Sequence, residues 1–116
     1  MSATDAPLHV CLVCHELFGY GSRGGFGRAT RMIGAELARR GHRVMVVTRK
    51  SPWAEERRDD FPMDGMRVRV YSPRRPLSSI PLYRDAAPDI FQSQDYSLGT
   101  YLAMRLAAGR ARSPAL

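Results

Sequence analysis

The sequence has no apolar run approaching the roughly 20 residues that a membrane-spanning helix needs. Its first ten residues, MSATDAPLHV, lack the basic and apolar segments of a signal peptide. We therefore expect a cytoplasmic protein. Lysine is also nearly absent, since Lys50 stands alone against seventeen arginines, yet the formal net charge is +7. A chain this basic is suited to peripheral contact with the anionic inner membrane surface.

Cysteine is scarce as well, and both cysteines lie in one short segment. Cys11 and Cys14, followed by His15, match the letters of a redox CxxC motif and of a c-type haem attachment site. On a strand, residues three apart point to opposite faces and lie about 10 Å apart, which is too far for a disulfide. Haem attachment would require export, and no signal for export is present. We predict two ordinary buried thiols.

Acidic residues are few in the stretch from Arg28 to Lys50, where seven basic residues accompany Glu36 alone. The long-range field of such a stretch attracts phosphates, anionic lipid or nucleic acid. A basic module that binds anionic lipid or nucleic acid is therefore one alternative function. A solvated helix face is the simpler and favoured explanation of the same charge, and we do not expect nucleic acid as a partner.

The first half of the chain has the pattern of a βαβ unit. Residues 8–14, LHVCLVC, are apolar without alternation, as is typical of a central parallel strand. A loop over residues 15–27 contains five glycines, and a basic amphipathic helix over residues 28–40 ends at Gly41. Residues 43–48 form the second strand. The helix is predicted to bury one apolar stripe and to carry a Glu36–Arg40 pair; the stripe comprises Ala29, Met32, Ile33, Leu37 and Ala38.

The second half is less regular. Residues 49–63 are predicted to be a surface loop with a short helical turn around residues 54–58. A turn at Asp64-Gly65 leads into a strand over residues 66–72, whose arginines suit the edge of a sheet. A short helix over residues 78–86, a fourth strand over residues 89–94 and a helix capped by Ser97 complete the pattern.

These elements predict an α/β fold, Rossmann-like and doubly wound, with a mainly parallel sheet of about four strands in the order 3-2-1-4. Residues 1–7 are expected to be a disordered lead-in, residues 8–110 the domain, and residues 111–116 an unstructured tail. The fourth strand would have an unpaired edge in this arrangement. We therefore expect an incomplete domain.

The loop satisfies the dinucleotide-binding pattern G-x-G-x-x-G at Gly19, Gly21 and Gly24. In that fingerprint the first glycine directly follows the strand, whereas here residues 15–18 intervene. The second strand also ends in Thr48-Arg49-Lys50, without a ribose-binding acid. An NADP-binding oxidoreductase domain stays as a second alternative function.

A looser phosphate-binding loop fits the same glycines better. Gly24, Gly25 and Gly27 precede the helix, and backbone N–H groups at its start, next to Arg28, would meet an anion that the helix dipole favours. The competing interpretation is a glycine-rich turn that only packs against a neighbouring strand. The density of glycines exceeds what a turn requires, which favours binding.

The combined pattern resembles the N-terminal domain of glycosyltransferase family 4, the retaining enzymes of GT-B fold. The similarity runs from about His9 to Leu106. It is most specific at GGFGR, residues 24–28, and at LARRGHRV, residues 37–44, and it continues through PDIFQSQDYSLGTYLAMRLA. Family members carry a glycine-glycine loop before the helix, a helix that ends in a similar RGH segment, and a later strand followed by an acidic residue.

The resemblance implies transfer of a sugar from a nucleotide-sugar, used as co-substrate with no prosthetic group, to a sugar or lipid-linked acceptor held by this domain. It places Gly24, Gly25, Gly27 and Arg28 near the donor phosphates and the acceptor. Gln94 stands where many members have histidine, so it and Asp95 are assigned to binding. No catalytic residue and no metal site are predicted. Such enzymes bind the nucleotide mainly through a second, C-terminal domain, which is missing here, so we expect this fragment to be inactive alone.

Overall fold

A computed structural model describes residues 7–14, 17, 19–20, 25–93 and 105 of the chain. The strands are β1 (His9–Cys14), β2 (Arg43–Arg49), β3 (Asp60–Met63), β4 (Met66–Tyr71) and β5 (Ile90–Ser93). The helices are α1 (Gly25–Arg39) and α2 (Ile80–Ala86), the latter preceded by a 3-10 turn at Pro76–Ser79. The predicted lead-in up to residue 6, the tail over residues 111–116 and the helix after Ser97 lie outside the described residues, except that Arg105 is helical.

The sheet has the order β3-β4-β2-β1-β5, in which the β4, β2, β1 and β5 strands are mutually parallel. Val10 of β1 is paired with Val44 of β2 on one side and with Ile90 of β5 on the other. The four predicted strands therefore adopt the predicted order 3-2-1-4. The fold class is confirmed as α/β and Rossmann-like, with one additional strand.

The additional strand, β3, corrects the prediction for residues 49–63. It pairs antiparallel with β4, so β4 is not an edge strand of the described sheet. The two strands are joined by Asp64 (φ 53°) and Gly65 (φ 81°), the pair of positive φ angles that a two-residue hairpin turn uses. The helical turn predicted around residues 54–58 is absent, because this segment only carries the chain from β2 into the hairpin.

Side chains of the sheet alternate between two cores, one on each face. Leu12 and Val46 point toward α1, whereas Val13 and Val47 point toward α2 and its buried Tyr83. The cysteines obey the same alternation: Cys14 belongs to the α1 side and Cys11 to the α2 side. Both are buried free thiols, as predicted. Helices therefore cover both faces, as in a doubly wound fold.

Helix α1 begins at Gly25, earlier than predicted, and only part of the predicted stripe is buried. Leu37 and Ala38 pack against the core as predicted. Met32 and Ile33 are instead 71% and 42% exposed, and small residues face the sheet in the first half of the helix: Gly27, Thr30 and Gly34. A Cβ on Gly34 would collide with the sulfur of Met66 and lie 3.1 Å from Leu12 Cδ1. At Gly34 the helix approaches the sheet too closely for a larger side chain.

The predicted end of α1 is confirmed. Gly41 has a φ of 93°, its N–H donates to the Ala38 carbonyl, and the His42 N–H donates to the Leu37 carbonyl at 3.1 Å. These two bonds form the Schellman motif that closes many helices. The predicted Glu36–Arg40 pair is also present, at 2.9 Å.

Candidate functional site

The parallel strands end at one edge of the sheet, here called the carboxyl edge. The segment of residues 15–24 leaves β1 at this edge and leads into α1, and residues 50–59 leave β2 there and lead into β3. β3 also starts at this edge, since Asp60 is paired with Arg69 near the end of β4. In open α/β sheets, ligands bind outside the carboxyl ends of the strands. The glycine-rich loop and the segment 50–59 both lie where such a ligand is expected.

The amino end of α1 is the part of the carboxyl edge that sequence reasoning had singled out. Gly25 and Gly27 belong to the first turn of the helix, whereas the sequence had placed them in the preceding loop; Gly27 is buried and Arg28 is exposed. This turn contains no acidic residue, so the positive end of the helix dipole is not neutralised within it. Gly24, Gln94 and Asp95 lie outside the described residues.

Arg31 connects the glycine-rich loop to the β3–β4 hairpin. Gly19 has a φ of 84°, and the Arg31 guanidinium occupies the space that a Cβ on this residue would need. The Nε of Arg31 donates to Asp64 Oδ2 at 2.7 Å, and this bond holds the pKa of the Asp64 carboxyl below its usual value. The loop backbone at Gly19 therefore lies against a side chain that is itself fixed by the hairpin turn.

Tyr20 fixes the next part of the loop. Its ring is 2% exposed and stacks on Phe61 of β3, with ring centroids 5.5 Å apart. Burial, the larger influence, raises the pKa of Tyr20 above its usual value, whereas the nearby backbone of Ser51 acts in the opposite direction. The glycine-rich loop and the segment 50–59 are thus in direct contact.

Of the three residues at the end of β2 that could recognise the 2′-phosphate of NADP, Arg49 is exposed, but Thr48 and Lys50 are poorly placed for that role. Thr48 is fully buried at the end of β2, in register with Cys14, and its hydroxyl has no hydrogen-bond partner in the described part of the chain. Lys50 Nζ lies 3.1 Å from Asp59 Oδ1, which already neutralises its charge. The long connection from β1 to α1 also departs from the tight turn of the dinucleotide fingerprint. The geometry disfavours a dinucleotide site.

Within the described residues, no group of three or more His, Cys, Asp or Glu side chains is arranged to hold a metal ion. None of the helices in the described ranges has the length and apolar character required to cross a bilayer.

A family model described as "Glycosyl transferase 4-like domain" matches residues 24–116. The chain belongs to this glycosyl transferase 4-like family. The matched range begins at the glycine-rich loop and covers α1, the rest of the sheet and all six candidate residues, namely Gly24, Gly25, Gly27, Arg28, Gln94 and Asp95. It leaves β1 outside, although β1 lies inside the sheet between β2 and β5. Among curated proteins, no sequence match was found.

Sequence reasoning overlooked several residues that shape the carboxyl edge of this glycosyl transferase 4-like domain. The glycine pattern that contains Tyr20 does not reveal its buried ring, and the predicted surface loop over residues 49–63 does not single out Trp53. The basic pattern of the helix does not reveal the partner of Arg31. The sequence does contain a signal for Asp64, the partner of Arg31. The dipeptide Asp64-Gly65 is typical of a hairpin turn and predicts that Asp64 is held in an ordered position.

Proposed function

We propose that this domain is the acceptor-side part of an enzyme that moves a sugar from a nucleotide-sugar to a sugar or lipid-linked acceptor. Membership in the glycosyl transferase 4-like family supports sugar transfer in general. The observation that carries the proposal for this chain is the position of the α1 amino end at the carboxyl edge, with no acidic residue in its first turn. A second domain would supply the main nucleotide contacts, so we propose that the chain alone turns over weakly or not at all.

The proposed roles follow from the chemistry of each group. Backbone N–H groups in the first turn of α1, at Gly25 and Gly27, would donate to a phosphate oxygen of the donor. The exposed Arg28 guanidinium would add a charge-assisted bond. Gln94 and Asp95 would bind hydroxyl groups of a sugar. In this proposal the nucleotide-sugar is a co-substrate, and no prosthetic group takes part.

Calorimetry on the 116-residue chain tests this role. UDP-glucose and GDP-mannose serve as probes, with NADP(H) as the competing ligand. Arg28→Ala should weaken nucleotide-sugar binding by at least about tenfold, because a hydrogen bond to a charged group is worth roughly 1.5–3 kcal/mol. Arg43→Ala is the matched control, since Arg43 is also exposed but begins β2 at the opposite edge. Binding of NADP(H) without binding of either nucleotide-sugar would overturn the proposal in favour of an oxidoreductase domain.

We also propose peripheral contact between the outer face of α1 and an anionic membrane. The specific observation is that Met32 and Ile33 are 71% and 42% exposed on a helix otherwise rich in arginine. Glu36 offsets part of this charge by pairing with Arg39 and Arg40. Co-sedimentation with phosphatidylserine vesicles should fall steeply as salt is raised and should weaken on Met32→Asp. Equal binding to neutral phosphatidylcholine vesicles would contradict this contact.

A further inference from the structure

Trp53 is the only tryptophan of the chain, and it is 81% exposed. The other exposed large apolar side chains outside α1 are about half as exposed, with Leu8 at 40% and Ile90 at 39%. Trp53 lies in the segment that leaves β2 at the carboxyl edge, whereas Leu8 and Ile90 lie at the opposite edge, where β1 and β5 begin. Among the described residues, the most exposed large apolar side chain therefore lies at the carboxyl edge of the sheet.

The backbone that carries Trp53 is anchored on both sides of the indole. Ala54 is 7% exposed and belongs to the core on the α1 side of the sheet. The Ala54 N–H donates to the Ser51 carbonyl at 3.3 Å, and the Trp53 N–H donates to Ser51 Oγ at 3.2 Å. The Lys50–Asp59 ion pair connects the two ends of the segment. The exposed position of the indole is thus fixed by a turn.

The same turn holds the glycine-rich loop. The backbone of Ser51, which lies beside the Tyr20 phenol, is two residues before Trp53, and Tyr20 immediately precedes Gly21. Trp53 is thereby joined to the loop through one buried contact. A ligand that meets the glycine-rich loop would therefore lie at the same edge of the sheet as the indole.

We infer that Trp53 stacks on the face of a pyranose ring bound at the carboxyl edge. A sugar ring presents C–H bonds on one face and hydroxyl groups at its rim. The flat, electron-rich face of an indole attracts the polarised C–H bonds, and its burial removes apolar area from water. The neighbouring exposed Arg49 can donate to hydroxyl or phosphate oxygens. This inference rests on the proposed function, and it adds the residue that recognises the ring.

Because Trp53 is the only tryptophan, its fluorescence reports this position directly. The 116-residue chain is titrated with the methyl glycosides of glucose, mannose, galactose and N-acetylglucosamine, and separately with UDP-glucose and with UDP alone. Sorbitol, which has no ring, controls for solvent effects. We expect a saturable change in emission with at least one ring sugar and none with sorbitol. A response to methyl glycosides assigns the ring to an acceptor, whereas a response to UDP-glucose but not to UDP assigns it to the donor.

Calorimetry on variants tests the contact without relying on fluorescence. Trp53→Ala should weaken binding of the responding sugar about three- to tenfold, the range expected for one aromatic contact. Trp53→Phe should recover most of the affinity, because it keeps a flat ring. Leu8→Ala, which shortens an exposed apolar side chain at the opposite edge, should leave the affinity unchanged. Circular dichroism verifies that each variant keeps the fold.

Two outcomes would overturn the inference. One is the absence of any response of Trp53 to ring sugars, seen either as an unchanged emission spectrum or as an affinity for the sugar that Trp53→Ala leaves intact. The other is a blue shift on addition of phosphatidylserine vesicles without any response to sugars, which would make Trp53 a membrane contact instead. Failure of the proposed function would appear differently, as binding of NADP(H) rather than nucleotide-sugars, and it would not silence a sugar response at Trp53.

Discussion

Replacing Gly34 by alanine sets two effects of known sign against each other. Alanine is favoured over glycine inside a helix by about 1 kcal/mol. The added Cβ, however, would collide with the Met66 sulfur and lie 3.1 Å from Leu12 Cδ1, and both of these side chains are nearly fully buried. Overpacking a tight core costs about 1–3 kcal/mol. We expect the steric cost to exceed the gain in helix propensity, so that the free energy of unfolding falls by about 1 kcal/mol.

For a domain of this size, such a loss lowers the melting temperature by about 4 °C. Thermal unfolding followed by circular dichroism measures it. Ala35→Gly is the matched control, since it measures the glycine–alanine difference one position along the same helix. Met66→Val removes the sulfur and should relieve the clash. The double variant, Gly34→Ala with Met66→Val, should therefore show a favourable coupling of at least about 1 kcal/mol in the free energy of unfolding. If Gly34→Ala raised the melting temperature by the same amount by which Ala35→Gly lowers it, the close packing of α1 on the sheet would be refuted.

Three further predictions follow from the described contacts. Cys11 and Cys14 should resist a thiol reagent in the native protein and should react only on unfolding. Both side chains are buried, and burial raises the pKa of Cys11. Rapid labelling of the native protein would refute this prediction. Guanidinium groups of neighbouring arginines lower the pKa of Glu36 to about 2 from its ordinary 4.5, so this carboxylate stabilises the fold above about pH 4.5 and loses its effect as pH falls toward 2. The melting-temperature difference between the wild type and Glu36→Gln should shrink over that interval, and a constant difference would contradict the pairing. Asp64→Asn should lower the free energy of unfolding by less than about 1 kcal/mol, because asparagine tolerates the positive φ and only the exposed ion pair is lost. Asp64→Ala should lower it by about 1 kcal/mol more, because alanine does not tolerate the positive φ. Equal losses of unfolding free energy in chemical denaturation would refute the turn geometry.

The parallel part of the sheet was predictable because its signals are local and strong. Residues 8–14 and 43–48 are apolar without alternation, which only strands covered on both faces sustain. Gly41 predicted the end of α1, because a residue with positive φ is needed there. The spacing of the cysteines predicted their separation onto opposite faces. Each of these conclusions needed no knowledge of what packs against the element.

The buried face of α1 was not predictable from periodicity alone. An apolar stripe through Met32 and Ile33 was the natural choice, yet the helix buries Thr30 and Gly34 instead. The choice depends on how closely the helix approaches Leu12 and Met66, which is a tertiary quantity. Small residues on one face carry no hydrophobic signal, although they permit the closest approach.

Strand β3 was missed for a different reason. Its four residues, DFPM, include a proline and a charge, so composition argued against a strand. The Asp64-Gly65 dipeptide was the stronger signal, since it requires two strands to flank it. For the site, the sequence located the carboxyl edge through its glycines. It could not reveal that Tyr20, Phe61 and Ser51 join the loop to the segment with Trp53, because those contacts cross between elements distant in sequence.

We propose that a nucleotide-sugar meets this domain at the carboxyl edge of its sheet. Amide chemical-shift mapping by NMR, with UDP-glucose and GDP-mannose added to the labelled 116-residue chain, tests this proposal. We expect the shifts to concentrate at residues 25–28 and 51–54, while amides at the opposite edge, such as those of Leu8 and His42, stay in place. Shifts confined to the opposite edge, or no shifts with either ligand, would contradict it.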